Sequence, residues 1–216
     1  MYNFNVRIGT LVIFTGASGA GKDSIMDGFL KRPIVQKLNL KKIVTCTDRL
    51  PRPGEQDGVQ YHFVNSVKLQ EMADGGKLVE PITQTGTSNK ATPKSEIERL
   101  LIGENLVWRI DPSRAAEIAL GGFFRKLFPA EAQTLQEHTI ILFVTAPKEV
   151  IRERRKRRDL DRYNPAEYQA REDQERPYLE ILKEKATPIE NLDGKLEKAV
   201  DLAVKSVTLF NDKIKN

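Results

Sequence analysis

Seven consecutive residues, Gly16, Ala17, Ser18, Gly19, Ala20, Gly21 and Lys22, carry the clearest chemistry in the chain. They match G-x-x-x-x-G-K, the spacing of a loop that cradles phosphates. Glycines let successive amide N–H groups turn toward one anion, and a helix opening behind them adds positive potential. Lys22 would reach the β- and γ-phosphates of ATP and offset charge during transfer. A chance glycine-rich turn is the bland alternative, and the apolar run before the loop and helical spacing after it argue against that. Asp23 stands where Ser or Thr usually coordinates Mg²⁺. A carboxylate can ligate Mg²⁺ directly or through water. Ser24 offers a hydroxyl about 100° further round the helix. Asp23 is the candidate ligand for a Mg²⁺ carried on ATP, and direct ligation by either residue stays open.

A second group lies in Leu50-Pro-Arg-Pro-Gly54 and its flanks. Arg49 and Arg52 are three apart on a proline-stiffened segment, so both guanidinium groups can converge. Two arginine forks with the hydroxyl of Tyr61 suit a dianionic phosphate monoester. A surface loop with solvated arginines is the equal alternative on the residues alone. A third group is the run Arg152 to Arg158, basic except for Glu153. Much of it reads as a solvated helix face. Only Tyr163 and Tyr168 offer stacking surfaces nearby, so nucleic-acid binding is not expected.

Thr47, Arg49, Pro51, Arg52, Gly54, Glu55, Gly58, Tyr61 and Phe63 fall in the pattern T-T-R-x-P-R-x-G-E-x-x-G-x-x-Y-x-F. With the phosphate loop, the chain resembles the guanylate kinases over roughly residues 10–205. The resemblance implies a P-loop NTPase core with a parallel sheet flanked by helices, a small α+β GMP-binding insertion and a helical lid. It implies transfer of a phosphoryl group from Mg-ATP to GMP or dGMP. Glu80 then matches the carboxylate that accepts from guanine N1 and N2. Thr45 and Thr92 match hydroxyls near the base, and Asp111 matches an acidic residue near the acceptor. Arg158 and Arg171 match lid arginines that meet the migrating phosphoryl, with Arg154 one step before Arg158; Arg155 or Arg157 could take the first role instead. Lys22, Arg49, Arg158 and Arg171 form the implied catalytic set. The sequence departs from the family at Asn89-Lys-Ala-Thr92, where Lys90 replaces a tyrosine, and at Arg109, where the family tends to be acidic or neutral. Two other readings stand beside this one. Gly21-Lys-Asp-Ser24 resembles kinases of ribose 1,5-bisphosphate in the same superfamily, and non-catalytic guanylate-kinase-like modules bind partners without turnover.

These residues need elements to hold them. Apolar, β-rich runs at 10–14, 42–46, 61–64, 77–82, 106–110, 139–144 and 188–190 predict strands. Helices are expected over 23–30, 67–73, 92–101, 113–120, 148–185 with a break near 159–165, and 192–209. Thr92 is expected as an N-cap with Pro93 first in its helix. The segment 121–137 receives no assignment. The expected organisation is a core from 1–40, 99–146 and 186–216, a GMP-binding subdomain from 41–98, and a lid with its connecting helix from 147–185.

The 216 residues suit one α/β domain with insertions. Net charge is +5, in keeping with an anionic ligand. The lone Cys46 excludes an internal disulfide and a cysteine metal cluster, and His62 and His138 have no ligand spacing. No apolar run is long enough for a membrane span, and Met1 to Gly9 carries no apolar leader, so a cytoplasmic location is expected.

Overall fold

The computed structural model describes residues 8–85 and 87–215. The reading of the N-terminal stretch falls mostly on residues 1–7, outside the described residues. In chain order the elements are β1 (Leu11–Thr15), α1 (Lys22–Leu30), α2 (Pro33–Gln36), β2 (Lys41–Lys42), β3 (Cys46–Thr47), β4 (His62–Phe63), α3 (Ser66–Asp74), β5 (Thr83–Thr85) and β6 (Ser88–Ala91). There follow α4 (Lys94–Glu98), β7 (Leu106–Arg109), α5 (Pro112–Ala119), α6 (Gly122–Leu127), α7 (Ala132–Glu137), β8 (Thr139–Thr145), α8 (Lys148–Asp159), α9 (Pro165–Lys185), β9 (Thr187–Glu190) and α10 (Leu196–Lys215). The chain divides into two compact units, one chiefly Lys41–Leu106, the other Thr10–Leu40 with Val107–Asn216.

The larger unit is built on strands in the order β7-β1-β8-β9. β1 runs parallel to β8, with Leu11 opposite Thr139 and Thr15 opposite Phe143, and β8 runs parallel to β9. Every residue of β1 is buried, as are Ile140 to Val144 of β8. Such unbroken apolar strands are those covered on both faces. Ile25, Met26 and Phe29 of α1 share one core with Val200, Ala203 and Val207 of α10. Gly28 permits the approach, because a Cβ there would stand 2.7 Å from Val200 Cγ2. The stretch 121–137 forms α6 and α7, whose Phe123 and Phe124 are buried beside Trp108.

The smaller unit holds a sheet in the order β4-β3-β6-β5, with β3 parallel to β4 and antiparallel to β6. Its core is Cys46, Leu69 and Ala91, joined by Val64, Met72, Leu78 and Ile82. Burial pushes the Cys46 thiol up to about 11, so it behaves as a packed hydrophobe.

Several elements differ from expectation. In place of a strand over 77–82 there is a single bridge, Leu78 to Pro93, and the strand follows at β5. Thr92 is not the helix cap. Pro93 takes that position in extended conformation, and the hydroxyl of Thr92 is spent on Glu80. The last helix begins at Leu196 and runs to Lys215, later at both ends than expected.

Candidate active site

The phosphate loop leaves the carboxyl end of β1 and enters α1, whose N-cap is Gly21 at φ +94°. No L side chain suits that backbone angle, and a Cβ there would overlap Asn191 Nδ2. Three side chains grip the loop. Asn191 Nδ2 donates to Ala20 O at 2.8 Å, Arg154 Nη1 donates to the same carbonyl at 3.3 Å, and Arg155 Nε donates to Ser18 O at 2.9 Å. These bonds occupy the carbonyls of Ser18 and Ala20. Arg155 is buried, pairs with Glu172 and lies 4.5 Å from the Tyr168 ring centroid.

Lys22 Nζ folds back onto its own loop, donating to Gly16 O at 2.7 Å and Ala17 O at 3.0 Å. Burial lowers its pKa to about 8; Arg109 and Arg171 push the same way, against Asp23 and Glu175. Lys22, Asp23, Ser24, Arg109, Arg154, Arg158 and Arg171 line one cavity of ≈ 320 Å³ with Ser18, Gly19 and Gly21. The arginines expected at the phosphoryl group thus meet the phosphate loop here, though each has a present partner. Arg158 donates to Asp159 and to the Tyr168 hydroxyl at 2.6 Å, and Arg171 Nε donates to Glu175 at 2.9 Å. The register alternatives separate physically. Arg155 is committed beneath the loop, and Arg157 is largely exposed, 3.7 Å from Asp193.

Magnesium carried on ATP keeps several waters and needs only one or two hard oxygen donors from the protein. Among the described residues no group of three or more acidic, His or Cys side chains could hold a metal alone. The exposed carboxylate of Asp23 and the adjacent Ser24 are donors of the right hardness beside Lys22, so they fit an ion that arrives with the nucleotide. The Asp23 carboxylate faces Arg109 Nε at 2.8 Å.

Asp111 also lies in the larger unit. Its Oδ1 caps α5, accepting from Ser113 N at 2.9 Å, Ser113 Oγ at 2.5 Å and Arg114 N at 3.1 Å. Burial opposes its charge, yet these hydrogen bonds outweigh burial and hold the carboxyl below its ordinary value. With Arg171, Glu175 and Tyr178 it borders a second cavity of ≈ 490 Å³.

The smaller unit gathers most of the expected acceptor residues in two clusters. In the first, Arg49 makes a two-pronged pair with Glu55, both contacts 2.6 Å, and its Cζ lies 5.1 Å from the Tyr61 ring centroid and 5.5 Å from that of Phe63. Hydrogen bonds from Arg49 and the Arg52 amide hold the Glu55 carboxyl at about 2. The Arg52 guanidinium is exposed, and it is the backbone of Arg52 that joins Glu55, at 2.8 Å. Lys90 Nζ stands 3.2 Å from the Tyr61 hydroxyl and 4.9 Å from its ring centroid. In the second cluster Glu80 Oε1 accepts from Thr92 N at 3.0 Å and Thr92 Oγ1 at 2.7 Å. Thr45 precedes β3, and its carbonyl accepts from His62 N at 3.0 Å.

Lys90 lies in β6, and Thr92 is the first residue after that strand, two positions on. One short stretch of chain therefore carries the partner of Tyr61 and the partner of Glu80. Its register is pinned by Asp48, which accepts from Asn89 N at 2.7 Å and Asn89 Nδ2 at 2.6 Å.

The sequence model of the guanylate kinases matches residues 8–118, just over half of the chain. The chain belongs to the guanylate kinase family. A guanylate kinase of Aromatoleum aromaticum is 34% identical over 121 residues, which is 56% of this chain and 54% of that protein. One from Clostridioides difficile is 33% identical over 139 residues, 62% of this chain and 65% of that protein. The chain thus spans about half to two thirds of the length of these curated relatives. The guanylate kinase of Anaplasma phagocytophilum shares the fold, with a TM-score of 0.56 at 17% identity over 96% of this chain and 87% of that one.

Within this guanylate kinase fold, three supports escaped the sequence reading. Asn191 is 171 residues from the carbonyl it holds, and no local signal joins them. Arg155 sits in a run of basic residues whose composition does not reveal which one is buried. Glu96 is buried and accepts from Val44 N at 3.0 Å, His62 Nε2 at 3.1 Å and Arg99 Nη1 at 2.7 Å, which ties α4 to the strands of the smaller unit.

Proposed function

We propose that the chain transfers the γ-phosphoryl group of ATP to GMP or dGMP, releasing ADP and GDP or dGDP. The observation that carries this reading lies at Lys90 and Thr92, two positions apart: Lys90 joins a phosphate-suited cluster with Arg49 and Tyr61, and Thr92 holds the carboxylate of Glu80. Guanine offers two adjacent donors to a carboxylate, and adenine does not. A site built to accept from them pays for leaving the carboxylate unpaired when the wrong base enters. A sugar bisphosphate would gain nothing from Glu80.

The donor side is the phosphate loop. Loop amides and Lys22 hold the triphosphate, and Arg158 and Arg171 leave Asp159 and Glu175 to meet the migrating group. The acceptor oxygen of a nucleotide monoester is already anionic near neutral pH, so no side chain need remove a proton. Catalysis is then in-line positioning and charge neutralisation. When bound, Mg²⁺ would supply further charge neutralisation, with Asp23 and Ser24 as its candidate protein donors.

The test is ADP release from ATP and Mg²⁺ with GMP, dGMP, AMP, UMP, CMP or ribose 1,5-bisphosphate as acceptor. Preference for GMP and dGMP supports the reading. Turnover with the sugar bisphosphate alone would replace it with the sugar-phosphate reading, and silence with every acceptor would favour a non-catalytic guanylate-kinase-like interaction module.

A further inference from the structure

The wall of the phosphate-loop cavity contains five cations, Lys22, Arg109, Arg154, Arg158 and Arg171, and one carboxylate, Asp23. A carboxylate in the first turn of α1 benefits the helix, because it faces unpaired N–H groups. It is also a liability at this position. A bound triphosphate brings several negative charges to the same N–H groups, and two like charges about 5 Å apart at intermediate screening lower binding roughly tenfold.

The structure places a cation on this carboxylate. Arg109 is the last residue of β7, the strand beside β1, and its Nε lies 2.8 Å from Asp23 Oδ1. Both side chains are half-exposed or more, at 50% and 69%, so the pair is not a packing requirement of the core. An exposed ion pair contributes little to stability. Its consequence is felt instead by whatever anion binds beside it.

We propose that Arg109 is a positioning residue of the triphosphate site, acting through Asp23: it neutralises the carboxylate so that phosphates can bind next to it. The proposal rests on the phosphate-loop reading. The two residues form one neutral unit, so the effect of losing either depends on the other. Removing Arg109 alone exposes the phosphates to an uncompensated charge. Removing both returns the site to a phosphate loop with a neutral residue after its lysine.

The test is equilibrium binding of metal-free ATP and ADP in EDTA to wild type and to Arg109→Ala, Arg109→Lys, Asp23→Ser, Asp23→Ser/Arg109→Ala and Lys22→Ala. Arg109→Ala is expected to weaken ATP binding roughly tenfold or more, and ADP binding less, because the repulsion scales with ligand charge. A purely structural role would weaken both alike. Arg109→Lys keeps the charge and should stay within about threefold of wild type; the Asp23→Ser/Arg109→Ala double variant should recover to a similar level. Wild-type affinity in a folded Arg109→Ala overturns the proposal. So does a double variant as weak as Arg109→Ala, which would mean that Arg109 acts on the phosphates without Asp23. Lys22→Ala separates the two levels. If it binds ATP like wild type, the phosphate-loop reading itself fails; if it is weakened while Arg109→Ala is not, only the proposal falls.

Discussion

Glu80 Oε1 accepts two hydrogen bonds from one residue, the Thr92 amide at 3.0 Å and the Thr92 hydroxyl at 2.7 Å. This double contact holds one carboxylate oxygen in place, and in the proposed reaction that carboxylate meets two guanine donors. Glu80→Gln would turn an amide donor toward those donors. The expected result is a fall in kcat/KM for GMP of about 10- to 100-fold, with activity on AMP unchanged or raised. An unchanged GMP/AMP ratio would remove Glu80 from base recognition. Thr92→Val should give a weaker version of the same defect, about tenfold, with GMP KM as the readout.

If Lys22 holds the donor nucleotide as proposed, binding of ATP should depend on pH. Its folded pKa, about 8, lies below the ordinary 10.5 because burial disfavours the charge. A bound triphosphate pairs with the ammonium and raises that value again. Affinity for metal-free ATP should therefore fall as pH rises through 8, with proton uptake on binding. The empty protein should behave oppositely in stability. The unfolded chain holds more protons between about 8 and 10.5, so this lysine's unfavourable contribution is relieved as pH rises through that window. Titrations from about pH 6.5 to pH 9.5 check the binding half, with Lys22→Arg expected to give a flat profile because Arg does not titrate there. A flat wild-type profile would contradict it.

Arg49 and Lys90 approach the one ring of Tyr61, at 5.1 and 4.9 Å, while Glu55 is paired to Arg49 alone of the two. Two cations against one ring favour an anion between them. Lys90→Met should raise the KM for GMP about tenfold and leave the dissociation constant for ATP unchanged. Equal KM values in variant and wild type would assign Lys90 to packing alone.

Arg155 joins the phosphate loop to α9 through Ser18 O and Glu172. Its side chain is 4% exposed but that of Glu172 is 32% exposed, so the loss should be smaller than for a fully buried pair. Arg155→Met is expected to cost about 2–3 kcal/mol, a fall in Tm of roughly 5–10 °C, together with weaker ATP binding. A melt shifted without any change in ATP affinity would show that the clamp is not coupled to the loop's function.

What could be read in the sequence was local. The phosphate loop is seven consecutive residues between an apolar strand and a helix, so composition and spacing carry the whole feature. The long strands at β1 and β8 were legible because burial on both faces leaves unbroken apolar runs. The smaller unit was less legible, because β3 and β4 are two residues long and present no periodicity. Thr92 shows the limit of propensity. A Thr-Pro step ordinarily starts a helix with Thr as cap, and here a carboxylate twelve residues away takes the hydroxyl. The Asp23–Arg109 contact spans two segments of the chain that only the adjacency of β7 and β1 brings together.

Phosphorylation of GMP is followed at its products by ³¹P NMR of the protein with ATP, Mg²⁺ and GMP. GDP and ADP should appear in equal amounts as ATP and GMP disappear, with AMP in place of GMP reacting at least about 100-fold more slowly. Free phosphate without GDP, or equal rates with AMP and GMP, would contradict it.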